Sequence, residues 1–224
     1  MNVERAARLS VALKWIGAIT MVVDHIALVY GRPWWVYTAI GRVAFPCFAL
    51  GVGISMTYLS RSPFRYIGYL FMLGLISILP HGYLLDGQPL PLNIGFTLGI
   101  GALLALLVSR HRDSIAWQKQ VALWCLLIAT FPFGFLVGYW PAGYLIPLAV
   151  VVLLPRSLVA TAAVVTVLGV GSNWASPESL TLLVSFPLVI WFANRGLSWL
   201  PRGNRLAWYL FYPVHMAVVR FVFG

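Results

Sequence analysis

Acidic side chains are nearly missing from this chain, with five Asp and Glu against 15 Lys and Arg and a formal charge of +10. Charged residues of both signs make up 9% of its 224 residues and hydrophobic ones 61%, whereas an ordinary soluble domain is about one quarter charged. A soluble fold is thereby excluded, and the composition is that of a membrane protein. Cysteine is as scarce. Cys47 and Cys125 both fall in apolar stretches with no CxxC spacing, which argues against a disulfide framework or a cysteine-held metal and leaves two small core residues. No HxxxH or HExxH is present, so no metal is expected. GxSxG, P-loop and Rossmann signatures are absent too, which removes support for a serine hydrolase or a nucleotide-driven pump. The basic residues sit singly or in small groups between apolar runs, not along one face, so they read as a topology signal and not as a nucleic-acid surface.

What is present is a succession of apolar runs, most of them long enough to span about 30 Å of hydrocarbon as helices. The expected fold is all-α: a single polytopic membrane helix bundle over 1–224, with spans near 10–31, 37–59, 65–85, 93–109, 117–139, 141–155, 157–174, 179–194 and 206–223. That makes about nine. The sixth and eighth are short and contain Pro147 and Pro187, so a kinked or re-entrant segment, and a count of eight, stays open. Arg5 and Arg8 precede the first run, but it carries Lys14, Asp24 and His25, is longer than a signal-peptide core and lacks a small-residue cleavage site, so it is expected to remain as a span. No internal repeat is visible, which weighs against a transporter built from duplicated halves. Placing the N-terminus in the cytoplasm puts nearly all arginines at cytoplasmic helix ends, and leaves the opposite loops rich in Trp and Tyr with only Arg32.

Polar residues collect at one depth in this map. Asp24 and His25 lie about two thirds of the way along the first span, Arg42 just inside the second, His81 at the end of the third, Asn93 at the start of the fourth, and Tyr212 and His215 in the last. A charge facing lipid there would cost on the order of 3 kcal/mol, so these groups should face one another or a wet cavity. Asp24 and Arg42 are expected to meet, either as a functional pair or as an ion pair that only fixes packing. Asp24 and His25 point about 100° apart on a helix, so a division of labour is expected between them. His25 reads as a base that exchanges a proton near neutral pH, with His215, three residues after Tyr212, as the second candidate. His81 and Asn93 suit capping or interfacial roles, and His111 a solvated loop.

Taken in order, LKWIGAITMVVDHIALVY, IGRVAFPCFALGVG, YIGYLFMLGLISILPHG, NIGFTLGIGALLALL and WYLFYPVHMAVV resemble the TraX family of bacterial conjugation proteins, which includes the F-type pilin acetylase and the related TrbP proteins. The specific parts are the pair Asp24 and His25, the stretch Gly41, Arg42, Ala44, Phe45 and Pro46, the stretch Asn93, Phe96, Thr97 and Leu98, and the terminal Tyr212, Pro213 and His215. Residues 115–200 match only in hydropathy, and the Ser77 to Pro80 segment is less polar than the family pattern. The resemblance implies a multi-pass protein of the bacterial inner membrane that modifies a pilin subunit, for the F-type members by moving an acetyl group from acetyl-CoA to the pilin N-terminal amine.

That chemistry needs a base for the amine, a role open to His25 or His215, and a donor for the thioester oxyanion, a role open to Arg42, Asn93 or Tyr212. Arg61, Arg65, Arg112, Arg195 and Arg205 are candidates to hold the CoA phosphates, each also explained by topology alone. Cyclisation of pilin by peptide-bond formation and a non-enzymatic pilin chaperone are the alternatives. The partners expected are pilin, entering through a groove open to lipid, and the bilayer itself, with no nucleic acid.

Overall fold

The computed structural model describes residues 1–30, 35–85, 93–111, 139–174, 176–197 and 199–224, apart from the side chains of His111, Trp140 and Arg205. Arg32, Arg112, Cys125 and, except for Tyr139, the expected fifth span lie outside the described residues. Those described form an all-α fold without strands.

The first helix, α1 (Val3–Val29), begins where the Asn2 side chain accepts from the Arg5 N–H, satisfying one of the donors a helix start leaves open. The second span is broken. Helix α2 (Trp35–Gly41) and α3 (Ala44–Ile54) meet at Arg42 and Val43, because Pro46 has no N–H to give the Arg42 carbonyl and its ring crowds that oxygen. A π-helical turn, Ser55–Leu59, ends this span, with the Ser60 N–H reaching back to the Ser55 carbonyl. Pro80 has the same effect further on: α4 (Pro63–Ile76) and α5 (Ile78–Leu84) are bent by 43° at Ser77. There follow α6 (Ile94–His111), α7 (Trp140–Leu153), α8 (Leu158–Ser172), a short 3-10 turn Pro177–Thr181, α9 (Leu182–Gly196) and α10 (Arg205–Phe223).

Four of these elements, Val3–Val29, Trp35–Leu59, Pro177–Arg195 and Leu206–Phe223, are long and apolar enough to cross a membrane, and the bent pair α4–α5 makes five. The expected sixth and seventh spans are helices of 14 and 15 residues, about 21 to 23 Å long, shorter than a full crossing. Helix α1 is the hub, packing on α2, α3, α9 and α10, while α7 joins α3, α6 and α8, and α5 lies on α10. Phe45, Leu50, Ile54, Ile146 and Phe186 are wholly buried in the core. Phe64, Val159, Val184 and Phe221 turn outward, as side chains facing lipid would. Helices α4 and α6 touch backbone to backbone at Gly74 and Gly95, where a Cβ on Gly95 would meet the Gly74 Cα at 2.6 Å.

Candidate active site

His25 and Asp24 leave α1 in different directions, as consecutive helical residues must. His25 faces α10. Its Nδ1 lies 2.8 Å from Nε2 of His215, with the two rings parallel to within 3° and their centroids 4.9 Å apart. This is an edge-to-edge bond. Nδ1 of His215 lies 2.8 Å from the Phe211 carbonyl oxygen, and the ring is stacked on that of Phe211. A carbonyl can only accept, so His215 Nδ1 carries the hydrogen and its Nε2 presents a lone pair. His25 must then donate from Nδ1, which leaves its own Nε2 as a lone pair with no proton. The roles in this chain are fixed at its far end by one backbone oxygen. Pro213, inside α10, has no N–H to give the Tyr209 carbonyl one turn earlier.

Asp24 faces α2, and its carboxyl occupies the space that a Cβ on Gly41 would fill. Only glycine lets it approach so closely. Arg42 stands within electrostatic reach, yet no ion pair joins the two among the described residues. The expected meeting is thus a near approach, because Asp24 is drawn onto the helix backbone while Arg42 reaches past it. Arg42 Nη1 donates to Asn173 Oδ1 at 3.4 Å, and its Nε is buried without a hydrogen-bond partner. Glu178 also lies within electrostatic reach of Arg42, and Tyr139 of both Asp24 and Arg42. The single polar layer expected from the sequence is therefore split by α1 into an imidazole side and a charged side.

The remaining candidates do not all fall to one side, since Tyr139 lies within electrostatic reach of Tyr212 as well as of Asp24 and Arg42. Tyr212 is buried, 5.7 Å from His215 between ring centroids, with its hydroxyl against the backbone of Ile94. Asn93 is 3% exposed and tied down: it donates to the Gly74 carbonyl at 2.8 Å and accepts from the Gly95 N–H at 3.0 Å. Its amide holds α6 to α4. His81, on α5, is close enough to His25 for the two to interact electrostatically.

A cavity of about 1450 Å³ runs through the bundle below the imidazoles. Its exposed end carries Arg61, Arg65 and Arg202 together with the carboxylate residue Glu4; Ser10, Lys14, Ser55 and Tyr66 line it further in, and the buried Met21, Ile94, Leu98 and Tyr212 line its inner end. His25 is one helical turn beyond Met21 on the same face of α1, and His215 one turn beyond Phe211, another lining residue. The π-helical turn widens the second span where Tyr58, Leu59 and Ser60 enter the wall, a local use typical of such turns. Arg202 is presented by a clamp. Trp15 Nε1–H donates to the Pro201 carbonyl at 3.0 Å and Trp208 Nε1–H to the Arg202 carbonyl at 3.1 Å, and Gly203 turns the chain at φ 66°. Arg195 instead lies over the Trp191 ring, 4.2 Å from its centroid.

Residues 10–223 match the model of the family described as TraX protein. The chain belongs to the TraX family. It is also similar to "Probable fimbrial assembly protein FimC, serogroup H1" of Dichelobacter nodosus, 28% identical over 242 residues that cover 92% of each chain. No solved structure matches it. Within this TraX chain, three residues near the site went unread in the sequence: Arg202, Tyr139 and Asn173. Arg202 looked like one more basic residue at a helix end. Tyr139 and Asn173 lie in the segments GYWPAG and GSNWASPES, whose aromatic and turn residues suggested only an interfacial loop, and no periodicity shows that their side chains turn back towards Arg42.

Proposed function

We propose that this protein is an acyltransferase of the bacterial inner membrane that acts in pilin maturation, moving an acetyl group from acetyl-CoA to the N-terminal amine of a pilin subunit. The observation that carries the reading is the continuity between an arginine-lined mouth and a cavity ending one turn short of an imidazole whose Nε2 is unprotonated. Family membership and the fimbrial assembly relative support a pilin as partner. With the N-terminus in the cytoplasm, the mouth opens to the compartment that holds acetyl-CoA, and the imidazoles lie towards the side on which a processed pilin presents its amine.

The steps follow from the hydrogen-bond chain. Nε2 of His25 takes a proton from the pilin ammonium, and the freed amine nitrogen attacks the thioester carbonyl carbon. The C–N bond forms, the C–S bond breaks, the second proton of the nitrogen goes to the leaving CoA sulfur to give the thiol, and His25 releases the first to solvent, which restores its free Nε2. As His25 gains charge, its Nδ1–H bond to His215 becomes charge-assisted and strengthens, so His215 stabilises the protonated base and holds its ring in place. The Tyr212 hydroxyl, at the deep end of the cavity, is the donor nearest the developing oxyanion. Arg61, Arg65 and Arg202 hold the phosphates at the mouth.

Mass spectrometry of pilin co-expressed with wild type and with His25→Ala tests the reading. A mass gain of one acetyl group that the variant abolishes supports it. Loss of one water from pilin points instead to cyclisation, and unmodified pilin that still binds the protein points to a chaperone.

A further inference from the structure

The cavity is large, and one of its walls is thin. At about 1450 Å³ it exceeds the roughly 300 to 1,000 Å³ of a small-molecule pocket. Its thin wall is the seam between α4 and α10. Tyr69 of α4 lines the cavity and is nevertheless 51% exposed, while Met72, one turn on, is exposed and takes no part in the lining. Tyr69 therefore stands where the cavity wall meets the lipid face. Tyr209 of α10, also in the lining, packs against it with ring centroids 5.6 Å apart. At this depth a single pair of tyrosines separates the cavity from hydrocarbon.

The seam lies close to the mouth. Tyr69 is five residues beyond Phe64, about 7.5 Å along α4, and the Phe64 ring lies under the Arg110 guanidinium at 4.7 Å, an aromatic and a basic residue placed as at a membrane interface. Arg61, Arg65 and Arg202 stand at the same end, and none is in an ion pair among the described residues. Glu4, which shares the mouth, is paired with Arg8 at 3.5 Å. Excess positive charge is thus left where an anionic lipid carries its phosphate. Further in, Phe48 and Val52 of α3 and Leu70 and Leu73 of α4 make the lining apolar, and Lys14, which also enters it, already interacts within the protein. Gly51 lines the cavity between Phe48 and Ser55, and a Cβ added there meets nothing within 4 Å.

We propose that the cavity is a binding site for an anionic phospholipid. The headgroup phosphate lies against Arg61, Arg65 and Arg202, and one acyl chain enters sideways through the seam that Tyr69 and Tyr209 close, to lie along Phe48, Gly51 and Leu70. The open seam singles out a lipid, since a water-borne anion has no need of a wall one side chain thick on the hydrocarbon. The site does not depend on the acyltransferase reading, because no reacting group takes part. A lipid chain and a thioester arm exclude one another from the same shaft, so under that reading the lipid competes with the donor.

The test places the full chain in phosphatidylcholine nanodiscs that contain a small share of phosphatidylglycerol or phosphatidylcholine with a diazirine in the acyl chain. After irradiation, adducts are mapped by peptide mass spectrometry. Phosphatidylglycerol should label Met21, Phe48 and Leu70 about fivefold or more above phosphatidylcholine, the scale of one arginine at an anionic membrane surface, and both lipids should label the outward-facing Val184 and Phe221 alike. Gly51→Phe, whose ring fills the shaft, should lose the inner adducts and keep the outer ones. Arg61→Gln with Arg202→Gln should bring the two lipids to parity at the inner positions. Unchanged outer labelling and the thermal midpoint show that each variant is folded, and the comparison of the two lipids on wild type stands without any variant. The proposal falls if wild-type adducts are confined to outward-facing residues, if both lipids label the inner positions equally, or if folded Gly51→Phe keeps its inner adducts.

Discussion

His25 and Asp24 are consecutive, equally deep in the bundle and part of the same dipeptide, yet the regions they enter are built on opposite principles. On the His25 side, two imidazoles and a carbonyl form a chain of short bonds, 2.8 Å each, in which every proton position follows from the last acceptor. On the Asp24 side, Arg42 has acidic groups within electrostatic reach, no ion pair among the described residues, and one long contact of 3.4 Å to Asn173. Rigid geometry marks the first region and diffuse potential the second. A proton acceptor gains from a single fixed lone pair, whereas a charge that only sets the local field does not need a fixed bond. Under the proposed acyltransferase function, the difference gives the chemistry to the imidazole side and positioning to the carboxylate side.

The largest effects are accordingly expected from the imidazoles. His25→Ala should lower pilin modification by about 100- to 10,000-fold, the usual contribution of a general base, while pilin still co-purifies with the protein. His215→Ala should cost about 10- to 100-fold, as loss of an orienting partner does. His215→Gln should recover part of that loss, since an amide oxygen can accept from His25 Nδ1. Rates of mass gain in pilin check all three, and a His215→Ala rate equal to wild type would dissolve the asymmetry between the two regions.

The residues of the site were more legible than its arrangement. The helical fold follows from apolar run length, and Asp24, His25, Arg42, Tyr212 and His215 stand out because polar groups are costly in such runs. Their partners are harder to read. Helix α1, apolar on nearly every face, has no polar stripe to show which side turns inward, so nothing in the sequence turns His25 onto His215 or sends Asp24 towards Gly41. The cavity depends on a π-helical turn at Ser55–Leu59 and on two indole bonds that seat Arg202, all of them products of tertiary packing. Asn93 shows the reverse: a short polar residue opening a helix can serve as a local tie, and the structure uses it as one.

Gly41→Ala probes the charged side by sterics. The added methyl would overlap the Asp24 carboxyl, and displacing a packed group of this kind costs about 1 to 3 kcal/mol. The thermal midpoint in detergent should drop, and the Asp24→Ala/Gly41→Ala pair should lose less than the two single changes together, because truncating Asp24 removes the clash. Strictly additive midpoints would mean that the two residues do not touch. Activity per folded molecule should fall less than in His25→Ala, since the base and its partner lie on the other face of α1.

The smallest effect is expected at Asn173. Its Oδ1 lies 3.4 Å from Arg42 Nη1, while its Nδ2 donates to the Gly169 carbonyl at 3.1 Å and to the Ser172 hydroxyl at 3.1 Å. The amide is held mainly by its own helix, and the bond to Arg42 is long for its kind. Asn173→Ala should therefore lower stability by about 1 kcal/mol and leave pilin modification within a few-fold of wild type. Asn173→Asp, which adds a carboxylate beside Arg42, turns that weak contact into an ion pair and should raise the thermal midpoint if charge balance is what this region lacks. A large loss of modification in Asn173→Ala, with the fold intact, would instead place Arg42 among the groups that touch the reacting atoms, and the division between the two sides of α1 would have to be given up.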